Sequence, residues 1–142
     1  MSRFVIDTCV AAKWFISEEQ SPAELDLLRR DHTLIVSDLF FPEVGSVLRK
    51  KCRRGEMSDE DAEAALRDLL AIPLEVYPAQ SLLARAFELS GRWTCSVYDG
   101  IYLALAERQA CPLVTCDDKF VHAMRSSDLS DRVVSLQQSL GM

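Results

Sequence analysis

At 142 residues with 49% apolar side chains, the chain can build one hydrophobic core without disulfide or metal staples, and no apolar run approaches the roughly 20 residues needed to cross a bilayer. A formal charge of −6 argues against a protein that coats nucleic acid by charge alone, but not against a nuclease that meets its substrate through metal ions. Five cysteines, Cys9, Cys52, Cys95, Cys111 and Cys116, are odd in number and scattered, with no C-x-x-C pair and no histidine at zinc-ligand spacing; they read as small buried hydrophobes in a reducing compartment.

The chain starts with Met1-Ser2-Arg3 and runs straight into Phe4-Val5-Ile6, a short apolar run of the kind buried on both faces of a sheet, which ends at Asp7. This start has neither the long apolar stretch nor the cleavage site of a signal peptide, so a cytoplasmic location is expected. Val10, Ala11, Trp14 and Phe15 follow at helical spacing. Ser21-Pro22-Ala23-Glu24 supplies an N-cap, a first-turn proline and a capping-box acid for a second helix to about Arg30. Leu34-Ile35-Val36 is the next buried strand. Leu39-Phe40-Phe41-Pro42-Glu43-Val44 then leads into a helix through about Arg54, where Pro42 is tolerated only in the first turn and pushes Phe41 away from helical angles. Glu43 therefore belongs close to a helix start or kink.

Gly55 stops that helix, and Ser58-Asp59-Glu60-Asp61 caps another whose apolar positions Ala62, Ala65, Leu66, Leu69 and Leu70 form one stripe. Leu74-Glu75-Val76-Tyr77 alternates, which suits a sheet edge. Leu82, Leu83, Ala86 and Phe87 mark the next helix, with Gly91 as its stop. A helix from about Val97 to Gln109, a strand at Pro112-Leu113-Val114-Thr115, a short helix opening at Asp117-Asp118-Lys119-Phe120 and a fifth strand at Arg132-Val133-Val134-Ser135-Leu136 complete the series. No repeat or linker interrupts it, so residues 1–142 are expected to form one domain: an α/β sandwich with a mostly parallel sheet of about five strands and right-handed crossovers. In such sheets sites form at the carboxyl ends of the strands.

Four acids fall at that edge. The helix beginning at Ser96 is apolar on almost every side, so Asp99 near its start requires an explanation. A capping box with Ser96 is one, and N-capping by Asp7 and Asp117 and a dipole-favoured first-turn position for Glu43 are the corresponding local readings. Jointly these readings weaken, because each acid follows or feeds a strand. Carboxylates that converge disfavour each other's ionisation, and a hard divalent cation such as Mg²⁺ or Mn²⁺, which takes oxygen ligands, removes that penalty. Such ions orient a phosphodiester and activate water without any His or Cys. Thr115 or Ser96 adds a hydroxyl for a water or a phosphate oxygen. Arg49, Lys50, Lys51, Arg53 and Arg54 fill five of the six positions from 49 to 54; they either complement a helix C-terminus or contact phosphates.

V-I-D-T near the start, an isolated glutamate at P-E-V, S-V-Y-D-G-I-Y-L-A-L-A and L-V-T-C-D-D-K-F resemble the four signature segments of the PIN domain, in order and over essentially the whole chain. In spacing and size the chain is most similar to bacterial toxins of the VapBC type. The resemblance implies a three-layer α/β/α sandwich, Mg²⁺-dependent endoribonuclease activity on RNA, homodimers, and inhibition by a cognate antitoxin that plugs the acidic site. Asp7, Glu43, Asp99 and Asp117 match the family's metal-binding and catalytic acids, with Asp118 as an additional neighbour. It also implies a groove for an antitoxin helix, for which Trp14, Phe15, Phe40 and Phe41 are candidates beside their reading as core.

Three other readings stand beside the toxin. One is a ribonuclease of RNA processing that has no antitoxin. Another is phosphoryl transfer to a single Asp, against which Asp7-Thr8-Cys9 offers no acidic neighbour and no D-x-D. The last is a PIN-like binding module whose acids serve only as caps.

Overall fold

The computed structural model describes residues 2–16 and 32–135. Five parallel strands form one sheet: β1 (Ser2–Ile6), β2 (His32–Ser37), β3 (Leu74–Tyr77), β4 (Leu113–Thr115) and β5 (Val133–Ser135), in the spatial order β3-β2-β1-β4-β5. The expected alternating strand, β3, is indeed an edge. Register pairs Phe4 with Leu34, Leu34 with Leu74, Ile6 with Val114 and Val114 with Val134.

Between the strands lie α1 (Thr8–Ile16), α2 (Phe40–Arg53), α3 (Asp59–Ala71), α4 (Leu83–Trp93), α5 (Val97–Gln109) and α6 (Asp118–Met124). Because side chains alternate across a strand, Phe4, Ile6, Leu34, Val36 and Val114 face one layer with Val10, Val44, Leu48 and Leu69 of α1, α2 and α3. Val5, Ile35, Leu113 and Val133 face the other, with Leu82, Ala86, Leu89 and the run Ile101–Ala106. The three-layer α/β/α sandwich expected from the sequence is present. No helix among the described residues is long and apolar enough to cross a membrane.

α5 carries an unbroken buried run from Gly100 to Ala106, because the sheet covers one side of it and α4 the other. The α4 contact is close: a Cβ at Gly100 would collide with the Ala86 carbonyl oxygen, so only glycine fits.

Several local expectations are corrected. Phe41 lies inside α2; Pro42 sits in the first turn, where its missing N–H removes no helical bond, and the preceding residue stays helical. Gly91 does not end α4, which continues to Trp93 and terminates at Thr94 with φ +52°. The stripes of α3 and α4 are narrower than their apolar residues suggested, since Leu70 and Phe87 are each 70% exposed and point away from the sheet. Of the five cysteines, all free thiols, only Cys111 is buried and the rest are half-buried. The helix expected at Ser21–Arg30 and the side chains of Trp14 and Phe15 lie outside the described residues.

Candidate active site

Asp7 follows the last residue of β1, where the chain turns into α1. Its Oδ1 accepts the Val10 N–H at 3.3 Å and the Cys9 thiol at 2.8 Å. Burial raises the carboxyl well above the usual carboxylate range, and the neighbouring Cys9 raises it further. Desolvation of this kind penalises the ionised form.

Glu43 enters from the next strand's helix. Pro42 and Glu43 lie in the first turn of α2, with the Glu43 N–H bonded to the Leu39 carbonyl at 3.1 Å. The carboxylate points towards the sheet edge and accepts the Tyr102 hydroxyl at 2.7 Å, while the Thr8 hydroxyl meets the same phenol at 3.1 Å. Burial pushes the Glu43 pKa up and the charge of Asp99 adds to the rise, opposed by the bonds from Tyr102 and Thr8. Burial also raises the Tyr102 phenol, followed by effects of its neighbours that include the charges of Glu43 and Asp7. Asp99 thus acts on Glu43, and Glu43 and Asp7 act on the Tyr102 phenol, although the three acids come from separate elements.

Asp99 makes the capping box anticipated for it: its N–H donates to Ser96 Oγ at 3.0 Å and its Oδ2 accepts the Ser96 N–H at 3.4 Å. Asp99 is thus a cap whose charge also helps raise the Glu43 pKa. Asp117 is the N-cap of α6, its Oδ1 accepting the Phe120 N–H at 3.1 Å. Its own N–H donates to Thr115 Oγ1 at 3.0 Å, which ties it to the Asp7 side through the Thr115–Cys9 contact of 3.5 Å. Asp118 is exposed and lines a different depression, with Val121, His122, Arg125 and Ser135.

Glu43 thus has Asp99 as a charged neighbour, Tyr102 has both Glu43 and Asp7, and the Asp117 backbone is tied to Thr115, all where strands β1 and β4 and helices α2 and α5 end or begin. Among the described residues no three His, Cys, Asp or Glu groups stand close enough to hold an ion as their side chains lie. The donors themselves are hard carboxylate oxygens, the ligand type that Mg²⁺ and Mn²⁺ take. Composition did not single out Thr8, Cys9 or Tyr102. The available signal for Tyr102 was a phenol one turn after Asp99 on a helix with no polar face, since a buried hydroxyl requires a partner. The groove proposal for Phe40 fails, because Phe40 is fully buried; Phe41 is half-buried and packs against the same core.

The family model for the PIN domain matches residues 4–125. Among curated relatives, a protein of Mycobacterium tuberculosis named Ribonuclease VapC12 is 29% identical over 119 residues, 84% of this chain and 90% of the relative. Ribonuclease VapC3 of Pyrobaculum aerophilum is 31% identical over 117 residues, 81% of this chain and 89% of the relative. Among solved structures, one described as a toxin-antitoxin complex from Klebsiella pneumoniae superposes with a TM-score of 0.61 at 16% identity, over 93% of this chain and 96% of that one.

Proposed function

We propose that this chain, which belongs to the PIN domain family, is a metal-dependent endoribonuclease that hydrolyses RNA phosphodiester bonds in the cytoplasm and acts as the toxin of a toxin–antitoxin pair. The observation that carries the reading is the bond from the Tyr102 hydroxyl to Glu43 at 2.7 Å, which puts Glu43 beside a phenol that also feels Asp7 and within reach of the charge of Asp99, with the Asp7 and Glu43 carboxyls raised by burial. The names of the relatives, ribonucleases, support the reaction class, and the toxin-antitoxin complex supports an inhibitory protein partner. An acidic edge suits a basic antitoxin segment with an Arg set against the carboxylates. Leu83 and Phe87, exposed one turn apart on α4, are the apolar face on which we place the second copy of a homodimer.

Asp7, Glu43, Asp99 and Asp117 would hold Mg²⁺ or Mn²⁺. When bound, the cation supplies positive charge against the phosphodiester oxygens and activates water for in-line attack. Tyr102 and Thr8 orient the Glu43 carboxylate, and the Val10 N–H orients that of Asp7. Thr115 holds the backbone of Asp117 at the same edge. The caps hold Asp99 and Asp117 to the starts of α5 and α6, and binding the cation would draw the four carboxylates closer together.

Purified protein should cleave RNA with Mg²⁺ or Mn²⁺ and lose cleavage in EDTA, and Asp7→Asn or Asp99→Asn should abolish it without unfolding. Cleavage retained in EDTA overturns the proposal. Glu43→Gln should weaken Mn²⁺ binding while leaving metal-free thermal stability unchanged or raised, since like-charge repulsion is relieved.

A second reading, a binding module whose acids only cap helices, draws on the capping bonds of Asp99 and Asp117. Calorimetric titration with Mn²⁺ separates the two: heat of binding that disappears in Asp7→Asn favours the nuclease, and none in either protein favours the module.

A further inference from the structure

A cleft of about 280 Å³ lies between α2 and the start of α5, lined by Leu39, Pro42, Glu43, Ser46 and Tyr98. Glu43 is shared between this cleft and the acid site, and Tyr98 immediately precedes Asp99. Its ring is 58% exposed, an unusual position for a large aromatic side chain with no structural partner to stack on. Among the described residues no hydrogen bond holds it.

The outer face of α2 continues from the cleft. Ser46, Arg49, Lys50 and Arg53 are spaced i, i+3, i+4 and i+7, so they form one stripe, and all four are exposed. Arg49 is engaged with Asp59 at 3.1 Å, whereas Lys50 and Arg53 have no ion-pair partner among the described residues. From Ser46 to Arg53 the stripe runs about 10 Å along the helix at 1.5 Å per residue. A largely apolar cleft with an aromatic wall, bordered by the Glu43 carboxylate and continued along α2 by Lys50 and Arg53, which have no ion-pair partner among the described residues, matches a nucleotide chain: the base enters the cleft and the neighbouring phosphates follow the cations. For a protein of net charge −6, long-range attraction to RNA is weak, so affinity must come from short-range contacts, base stacking together with a few local phosphate contacts.

We propose that the Tyr98–Pro42 cleft receives one unpaired nucleobase of the RNA, stacked on Tyr98, while Lys50 and Arg53 hold phosphates on the side away from the acids, so that the scissile phosphodiester is set over Glu43 and Asp99. This inference rests on the ribonuclease reading. The recognised feature is a base in single-stranded RNA, because a base paired in a duplex presents no free face.

The test uses the full chain with a fluorescently labelled single-stranded RNA of ten nucleotides, read by anisotropy in Ca²⁺ and by cleavage kinetics in Mg²⁺. Tyr98→Ala should weaken binding roughly tenfold, in the range of one lost base–aromatic stack, and raise KM more than it lowers kcat. Tyr98→Phe should restore affinity, since the ring rather than the hydroxyl does the stacking. Lys50→Ala with Arg53→Ala should lower the salt dependence of binding by about two phosphate contacts, and melting curves should show every variant folded. Wild-type affinity and KM in Tyr98→Ala overturn the base pocket while leaving the nuclease intact. Loss of antitoxin capture in Tyr98→Ala with unchanged RNA binding assigns the cleft to the protein partner instead and equally overturns it. A wild-type chain that neither binds nor cuts RNA removes the underlying ribonuclease reading, and the base pocket with it.

Discussion

The Tyr102 hydroxyl donates to Glu43 Oε1 at 2.7 Å, joining the buried helix α5 to the first turn of α2 directly above the sheet edge. Removing that hydroxyl leaves Glu43 half-buried with one donor fewer. Tyr102→Phe should destabilise the protein by about 1–2 kcal/mol in denaturant titrations, as expected for a lost bond to a carboxylate. Because the bond lowers the Glu43 pKa, its loss raises that pKa further. The acid limb of the cleavage profile, and of Mn²⁺ binding, should move to higher pH. An unmoved limb would show that Glu43 does not take part as an ionised group.

Asp7 provides the clearest link between site and stability. Its folded-state pKa is raised by burial, so the native state holds this proton more tightly than the unfolded chain does. The stabilisation is complete below the unfolded value of about 4 and is lost as pH rises through the raised folded value. Metal-free protein should therefore lose stability on going from acid towards neutral pH. Asp7→Asn, which keeps an acceptor for the Val10 N–H, should be more stable than wild type near neutrality, with the difference closing in acid. Adding Mn²⁺ should raise the melting temperature of wild type and not of the variant. A metal-free Asp7→Asn protein less stable than wild type at neutral pH would mean that the carboxylate is stabilised by an internal partner.

Asp117 combines two roles that one substitution separates. Its side chain caps α6 through the Phe120 N–H, and serine is an equally good N-cap but carries no charge. Asp117→Ser should keep the unfolding free energy within about 0.5 kcal/mol of wild type while reducing RNA cleavage in Mg²⁺. Asp117→Ala should lose both, at about 1 kcal/mol in stability. Full cleavage by Asp117→Ser would leave the residue as a cap alone.

The layers and the edge of the sheet were legible because strand period and helix period differ and because each buried strand is a short apolar run closed by a polar residue, as Ile6 is by Asp7 and Thr115 by Cys116 and Asp117. The central place of β1, between β2 and β4, was not legible, since parallel pairing across about 110 residues leaves no local pattern. The acids were visible by position, but the groups that connect them were not. Thr8, Cys9 and Tyr102 have ordinary propensities for their elements, and only the folded chain brings the Tyr102 phenol within reach of both Thr8 and Glu43. The exposure of Phe87 escaped for a different reason. Leu82 and Ala86 lie one turn apart beside Leu83 and Phe87, so the apolar pattern alone fits either stripe as the inward one, and the packing of α4 on α5 decides it.

Gly100 is where the site's helix is locked to its neighbour. The Ala86 carbonyl occupies the space a Cβ would need, and that obstacle is backbone rather than a movable side chain. Gly100→Ala gains helix propensity but must separate α4 from α5. A net loss of about 1–3 kcal/mol is expected by thermal or urea unfolding. Cleavage should fall with it at temperatures where the protein is still folded, because Asp99 precedes Gly100 and moves with the backbone. Stability equal to or above wild type would show that the two helices part without cost.

The same two helices are also joined by Arg85, next to Ala86 in α4, whose Nε and Nη2 donate to the two oxygens of Glu107 near the end of α5 at 2.8 and 2.9 Å. This bond lowers the Glu107 pKa and raises that of Arg85. A depressed carboxylate contributes stability above its unfolded pKa and loses it as pH falls through the folded value, opposite in sign to Asp7. The side chains are 32% and 35% exposed, so solvent screens the pair and its bidentate geometry keeps it near the top of the range for surface bridges. Arg85→Met, which keeps the apolar stem, should cost about 1 kcal/mol near neutral pH. The cost should shrink in high salt and vanish in acid once Glu107 is protonated. Measuring unfolding free energies of both proteins across that pH range checks the sign, and a deficit that persists in acid would assign the effect to packing of the stem rather than to the charge pair.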